Sequence, residues 1–328
     1  MATLGTNNPT LLDWAKLKDP RGGIAKVVEI LNQTDEMIED MAFQEGNLET
    51  GHQVSVQTAL PTVGYRLLNG GTAPSKNRYA QVTEQCAIMD AWSNVDVDIA
   101  DLNGDQAAYR ATIAMGFLEA MAQKFAGTVI YGNAGVDPEA FTGLAPRYST
   151  LGQNVLSGGG AGSDNSSIWL VGWGPRTVYG IFPKGSTAGL MHDDKGKQTI
   201  TVTTGIAGTL MEAYQDHFKW KHGICVADWR YTVRGCNIDI SALTTEVSPA
   251  NLVKLMIKMR HRLPTLVGIT PRYYVNRTVY EFLDIQRFNN AAGGGLTYPM
   301  IDGEESMRFR GIPIRLMDQL TETEATVT

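Results

Sequence analysis

The sequence contains little of what disulfide-bonded, secreted or membrane-spanning proteins need. Its three cysteines, Cys86, Cys225 and Cys236, are an odd set without a CxxC pair. This spacing excludes a disulfide framework and indicates a reducing compartment. The first residues lack a basic segment followed by an apolar core, so we expect no signal peptide. No apolar run approaches the roughly 20 residues of a membrane helix, and no membrane contact is expected.

Residue types that build catalytic sites are also scarce. The histidines are His52, His192, His217, His222 and His261. No GxSxG nucleophile elbow occurs. The sequence KGS at residues 184–186 places its lysine before the glycine, so it lacks the order of a Walker phosphate loop. The sequence therefore predicts no catalytic residue and no cofactor.

The acidic segment from Asp96 to Asp105 resembles a calcium loop without completing one. Alignment on Gly104 puts Ile99 and Arg110 where the first and last ligands are required. A carboxylate-rich turn before a helix, which is favourable to the helix dipole, explains the segment instead.

A second set, His217, His222 and Cys225, lies on a predicted strand. There, residues 217 and 222 point their imidazoles to opposite faces, which argues against a shared metal. We expect no metal. An enzyme with an unrecognised site at His217 or His222 is kept as an alternative.

Periodicity predicts an α+β chain. Residues 10–18 and 24–41 have helical patterns, and the apolar Leu11 and Trp14 need a partner surface. A docking arm and a helix packed on its own domain are both open interpretations. The longest helical pattern covers residues 105–126, where Ile113, Phe117 and later apolar residues recur every four positions.

Residues 46–81 predict a hairpin with a corner at Leu60 and a turn at Gly70-Gly71. His52, Val54 and Val56 alternate with polar residues, as in a strand. Its apolar surface costs roughly 25 cal/mol per Å² when left in water, so the hairpin either folds back or reaches another molecule. An ordinary edge hairpin is the alternative.

The C-terminal half predicts further strands and helices. A long strand is expected at about residues 224–240, with Arg230 and Arg234 on one face. A helix is expected from Ser248-Pro249, with a basic run at residues 254–262. That run has the pattern of a solvated helix face or a subunit contact, and contact with DNA is the other interpretation. The polar, acidic tail, residues 321–328, is expected to fray.

Several sequence blocks resemble those of one family when taken in order. They are "ALPTVGYRLLNGGTAPSKNRYAQVTEQ", "GICVADWRYTVRGCNIDIS", "PRYYVNRTVYEFL" and "FRGIPIRLMDQL". The succession, which spans residues 46–320, resembles the major capsid proteins of tailed bacteriophages with the Hong Kong 97 fold. It is most similar to the version found in short-tailed phages of Salmonella and Bordetella. The "DWR" strand precedes the "GIP" strand here, the reverse of the commoner order, which leaves a permuted topology open.

The resemblance implies a domain plan. The expected parts are an N-terminal arm at residues 1–45 and an extended loop at 46–81. A peripheral domain is expected at 82–131 and 197–245, with the helix at 105–126 as its spine. An axial domain is expected at 132–196 and 246–328.

The resemblance also implies a function. The protein is expected to be a non-enzymatic capsid subunit that self-assembles into pentamers and hexamers of an icosahedral shell around double-stranded DNA. The net charge of −6 is compatible with a wall that confines DNA without binding it over its whole surface. An encapsulin-like nanocompartment shell is the alternative.

Expected partners are copies of itself, a cement or decoration protein, a portal, a scaffolding protein and DNA contacted non-specifically. The expected location is the virion capsid, after assembly in the host bacterial cytoplasm. The candidates for subunit contact are Leu11, Trp14, His52, Val54, Val56, Leu60, Tyr65, Arg66, Leu68, Arg230 and Arg234.

Overall fold

The computed structural model describes residues 8–10, 13, 35–103, 105–202, 208–246, 249–289, 296–297, 300–301, 304–305 and 307–328. Most of the predicted helices at 10–18 and 24–41 lies outside the described residues, as do the candidates Leu11 and Trp14.

The described chain contains both helices and strands, as expected for an α+β protein. The helices are α1 Met37–Asp40, α2 Val97–Ala100, α3 Gln106–Tyr131, α4 Ile240–Thr245, α5 Leu252–Arg260 and α6 Arg277–Asn289. The strands are β1 Phe43–Glu45, β2 Gly51–Ala59, β3 Arg78–Gln85, β4 Ala87–Asp96, β5 Val155–Ser157, β6 Asn165–Trp173, β7 Val178–Phe182, β8 Leu190–Thr201, β9 Leu210–Val226, β10 Thr232–Asp239, β11 Thr270–Val275, β12 Leu296–Thr297, β13 Met300–Ile301, β14 Glu304–Glu305, β15 Arg308–Phe309 and β16 Ile312–Leu316.

One compact unit contains residues 1–33, 88–125 and 187–221. In its described part, β8 pairs antiparallel with β9 from Leu190 opposite Trp220 to Thr201 opposite Leu210. The ring of Phe117 on α3 stacks on that of Phe218 with centroids 5.9 Å apart. The apolar stripe of the predicted spine helix therefore packs on a sheet, as its period indicated.

Helix α3 confirms the predicted spine helix and is longer than expected. It contains 26 residues, so it is about 39 Å long. Gly127 does not end it, because Val129 and Ile130 continue the buried face. The chain leaves the helix at Gly132, whose N–H donates to the Thr128 carbonyl at 2.8 Å.

The second unit contains residues 34–87, 126–186 and 222–328. Its sheet is centred on β6, every residue of which is buried. Strands β10 and β11 both pair antiparallel with β6, and β16 extends the sheet in parallel to β11. Helix α5 buries Leu252, Leu255, Met256 and Met259 in the same hydrophobic cluster as Tyr273 and Val275 of β11.

These units do not test the predicted domain plan. The predicted peripheral segments share residues 88–125 and 197–221 with the first unit. The peripheral and axial assignment stays a prediction.

The predicted helix start at Ser248-Pro249 is corrected by three residues. Helix α5 begins at Leu252, because the Asn251 side chain accepts a hydrogen bond from the Lys254 N–H at 2.8 Å. An asparagine cap of this kind satisfies one of the free N–H groups of the first turn.

The single long strand predicted at residues 224–240 is wrong. Strand β9 ends at Val226, and a 3-10 turn at Trp229–Tyr231 separates it from β10. The Asp228 side chain caps this turn by accepting from the Arg230 N–H at 3.1 Å. Beyond the turn the chain pairs with β6, so the alternation of faces is not continuous from Arg230 to Arg234.

The C-terminal tail is not frayed, contrary to the prediction. Buried Glu324 accepts hydrogen bonds from the Tyr131 hydroxyl at 2.6 Å and from Arg234 at 3.0 Å. The Ser167 hydroxyl also donates to it. Asn237 holds Val327 with two 2.8 Å bonds between its side-chain amide and the Val327 backbone. The tail is therefore fastened to the buried side of β6 and β10.

Replacement of Glu324 tests this attachment. Glu324→Gln leaves the buried Arg234 guanidinium without its counter-charge, so we expect the free energy of unfolding to fall by roughly 3 to 5 kcal/mol. Urea unfolding of dispersed subunits measures it, with exposed Glu139→Gln as the matched control. Equal midpoints for the two variants would show that the Glu324 carboxylate contributes nothing to the attachment.

Candidate assembly surfaces

The hairpin of β2 and β3 projects from the body of its unit. The strands pair antiparallel from Gly51 opposite Gln85 to Ala59 opposite Arg78. Every residue from 57 to 83 is exposed. At the tip, Asn69 has φ +65° and the Gly70 N–H donates to the Leu67 carbonyl at 3.0 Å, which closes the turn predicted here. From residue 57 to residue 83 the hairpin therefore stays exposed, without being covered by the part of the chain that the structure describes.

The projecting part carries large apolar side chains in water. Leu67 and Leu68 are 85% and 94% exposed, and Leu60, Val63 and Tyr65 are exposed to a similar degree. Arg66 is also exposed and donates to the Gly70 carbonyl at 3.1 Å. A contiguous apolar surface of this kind is typical of a protein interaction site.

The root of the hairpin is fixed to the same subunit. Val54 packs against Tyr179 and Cys225, and the His52 ring meets that of Tyr179 edge-on at 5.9 Å. His52 and Val54 therefore anchor the hairpin, and their predicted role in subunit contact stays a prediction. A Cβ atom at Gly51 would lie 2.0 Å from the Glu84 carbonyl oxygen, so only glycine permits the strands to approach here.

A partly buried ion pair holds β3 at this root. The guanidinium of Arg147 donates to both carboxylate oxygens of Glu84, at 2.5 and 2.6 Å, and also to the Thr142 and Gly143 carbonyls at 3.0 Å. Glu84 is 5% exposed. The two residues are 63 positions apart, so no local sequence signal could have paired them.

The two arginines predicted on one strand face have different environments. Arg230 is exposed and paired with Asp228 at 2.7 Å. Arg234 is 5% exposed, lies over the Trp169 ring and pairs with Glu324. The subunit-contact prediction for Arg234 is corrected, because the side chain is enclosed within its own subunit.

The first unit has an exposed sheet face that the sequence did not single out. Ile88 and Trp92 alternate outward along β4, and the Trp92 ring stacks on His217 at 3.9 Å. His217 pairs with Asp90 and lies opposite Asp193 on β8. Met191 is also exposed and lies two residues before Asp193 on β8, so both side chains point to the same face. This face, residues 88, 90, 92, 191, 193 and 217, is called the outer sheet face below.

Of the two histidines of the enzyme alternative, His217 pairs with Asp90 and His222 is enclosed. His222 is 1% exposed, meets the Phe141 ring edge-on, and burial lowers its pKa to about 4. Burial also raises the pKa of Cys86 and Cys225 to about 11, so both thiols are protonated at neutral pH. In the described part of the chain, no three His, Cys, Asp or Glu side chains group as metal ligands.

The calcium-like segment acts as helix caps, as predicted. Asp96 accepts from the Asp98 N–H at 2.9 Å at the start of α2, and Asp105 accepts from the Ala108 N–H at 3.4 Å near the start of α3. Among the described helices, none is both long and apolar enough to cross a membrane.

Comparison with known proteins identifies the family. The family model of the major capsid protein GP7 matches residues 19–328. The chain belongs to this capsid protein family. A comparison with curated protein sequences gave no match.

Solved capsid structures agree with this assignment. The structure of bacteriophage Epsilon15 is similar over 100% of both chains, with 29% identity and a TM-score of 0.77. The bacteriophage JBD30 capsid shares 12% identity, with a TM-score of 0.50 over 89% of this chain and 93% of that one. The holo-SrpI encapsulin complex of Synechococcus elongatus has a TM-score of only 0.44 at 9% identity, over 70% of this chain and 96% of that one.

These findings confirm the predicted fold, function and location. The protein has the Hong Kong 97-like fold and is a structural capsid subunit of a tailed phage, located in the virion capsid.

The hairpin anchor predicts the effect of Arg147→Met. This substitution leaves the buried Glu84 carboxylate unpaired, so we expect a loss of roughly 3 to 5 kcal/mol in the free energy of unfolding. The double variant Glu84→Gln/Arg147→Met removes both charges and should lose less. Urea unfolding measures both, with exposed Arg176→Met as control. A double variant no more stable than the single one contradicts the ion-pair interpretation.

His222 predicts a pH dependence of stability. Its folded pKa of about 4 lies below the ordinary 6.5, so the unfolded chain binds more protons between these values. The free energy of unfolding therefore falls as the pH falls from about 6.5 to about 4, by about 3 kcal/mol from this residue. His222→Gln should lack this component, whereas exposed His261→Gln should retain it. The prediction is refuted if the difference in the free energy of unfolding between wild type and His222→Gln stays constant from pH 7 to pH 4.

Proposed function

We propose that this capsid subunit assembles into pentamers and hexamers that close into an icosahedral shell around double-stranded DNA, and that its role is structural and not enzymatic. The observation that carries the proposal is the exposed apolar hairpin at residues 57–83. A surface of this kind is unfavourable in water unless another molecule covers it.

The hairpin of one copy docks on the outer sheet face of the next. The hairpin combines its apolar residues with the cations Arg66, Lys76 and Arg78, and residues 57–83 contain no acid. The outer sheet face combines exposed Ile88, Trp92 and Met191 with Asp90, which pairs with His217, and Asp193, which pairs with Lys195. The two surfaces are thus complementary in hydrophobicity, and the exposed carboxylates also offer acceptors for the hairpin cations, which favours correct register between partners.

A contact between two different surfaces of identical subunits is heterologous. Such contacts continue from copy to copy and close into rings when the rotation permits. Each subunit then gives one hairpin and receives another, so removal of one subunit from a closed shell requires several contacts to break together.

The remaining assignments are carried over from the resemblance to the family. They make residues 1–45 the N-terminal arm, 46–81 the extended loop, 82–131 and 197–245 the peripheral domain, and 132–196 and 246–328 the axial domain. Assembly takes place in the host bacterial cytoplasm with a scaffolding protein and a portal, and a cement or decoration protein binds the shell. A nanocompartment shell is the second candidate; purified particles that contain an enzyme and no DNA would favour it.

Charge at the hairpin tip tests the proposal. Leu67→Asp/Leu68→Asp places carboxylates where the neighbour's Asp90 and Asp193 are expected, so shells should be lost while the subunit keeps its unfolding midpoint. Electron microscopy and sedimentation of the expressed full-length protein measure assembly. Val136→Asp, at another exposed apolar residue, should still form shells. Normal shells from the hairpin variant would overturn the proposed contact.

A further inference from the structure

One long segment of the chain contains no acidic residue. No Asp or Glu lies between Glu246 and Glu281, although the whole chain has 34 acids against 28 Lys and Arg. The same segment contains four cations in or next to helix α5: Lys254, Lys258, Arg260 and Arg262. A locally basic surface on an acidic protein therefore lies at this helix.

Helix α5 directs these charges away from the core. Its opposite face, which includes Leu255 and Met256, is buried in the hydrophobic cluster of the second unit. Lys254, Lys258 and Arg262 are exposed and recur every four residues, so they lie on one side of the helix over a length of about 12 Å. Exposed His261 lies beside them. These four residues are called the basic stripe.

The position of the helix is rigidly determined. The Leu252 N–H donates to the Gln286 side chain at 3.0 Å, and the Tyr273 hydroxyl donates to the Met256 carbonyl at 3.0 Å. The basic stripe is thus held as a fixed surface.

The stripe has no charge partner among the described residues. None of its four side chains forms an ion pair or hydrogen bond there, whereas Arg272 and Arg277 of the same acid-free segment pair with Asp40 and Asp318. Cations near a helix C-terminus favour the helix dipole, which accounts for Arg262. Lys254 lies in the first turn, where a cation opposes the dipole, and no acid accompanies it there. Helix stability therefore does not explain Lys254.

We propose that the basic stripe, Lys254, Lys258, His261 and Arg262, binds the phosphate backbone of double-stranded DNA without sequence preference. The proposal rests on the proposed function, in which the shell encloses such DNA. Duplex DNA presents about one negative charge per 1.7 Å, so the 12 Å stripe faces several phosphates at once.

The composition of the stripe favours DNA over an acidic protein partner. Protein interfaces have an apolar or aromatic centre within a polar rim. On α5 the aliphatic side chains beside the stripe, Val253 and Ile257, are half-buried and pack inward against the core. What remains outward is a row of point charges, which suits phosphate contacts that carry no sequence information.

Fluorescence anisotropy with a labelled 20-base-pair duplex of arbitrary sequence tests the proposal on dispersed full-length subunits. Lys254→Gln/Lys258→Gln/Arg262→Gln should weaken binding at least about tenfold at 0.1 M salt, and should flatten the slope of log K against log salt by about 2 to 3. The matched control, Lys184→Gln/Lys219→Gln/Lys221→Gln, changes the net charge equally at other positions and should leave both quantities near wild type. Lys254→Gln alone should flatten the slope by about 1.

Three results would overturn the inference. In the first, both triple variants lose the same affinity for the duplex. In the second, the stripe variant binds the duplex as tightly as wild type does. In the third, polyglutamate displaces the duplex as effectively as unlabelled DNA does at equal charge. The last would identify the stripe as a site for an acidic protein. Electron microscopy of the stripe variant scores shell formation independently of duplex binding by dispersed subunits, so failure of this inference and failure of the proposed function give different results.

Discussion

The free energy of uncovered apolar surface is the constraint on which the rest of this structure depends. The hairpin at residues 57–83 is exposed along its whole length, so its stability as a paired ribbon comes mainly from the β2 and β3 ladder and from its root. That root is built from the close approach of the strands at Gly51, a small apolar cluster around Tyr179, and the bidentate ion pair between Glu84 and Arg147. A hairpin held in this way can present apolar residues to a neighbour without collapsing onto its own body.

The body supplies the rigidity that such a projection requires. Strand β6 is buried along its whole length, and the elements around it are joined by buried charges as well as by apolar packing. Glu324 brings together Arg234 and the C-terminal tail, while Asp40 receives hydrogen bonds from Arg272 at 3.0 Å and from the Tyr274 hydroxyl at 2.9 Å. Pairs like these add specificity more than stability, because desolvation offsets much of their attraction.

Charge is distributed so that one acidic chain carries two basic surfaces. The hairpin has cations and no acid, and so has the stripe on α5. The outer sheet face has Asp90 and Asp193 beside its exposed apolar residues. In the proposed function this division suits a wall around DNA, because local positive surfaces would give defined contacts while the net charge of −6 disfavours adhesion over the whole subunit.

Local pattern alone determined the spine helix, the hairpin and the apolar stripe of α5, because a period of 3.6 or 2 records which face is buried. The resemblance of several ordered blocks determined the family. Only the tertiary structure decided that Asp228 breaks the predicted long strand, that Arg234 is enclosed, and that Glu324 fastens the tail. The Asp228 cap is local, but the pairing of β10 with β6 beyond it is not. Arg234 and Glu324 are 90 residues apart and Arg147 and Glu84 are 63 apart, and contacts at such separations leave no trace in local composition.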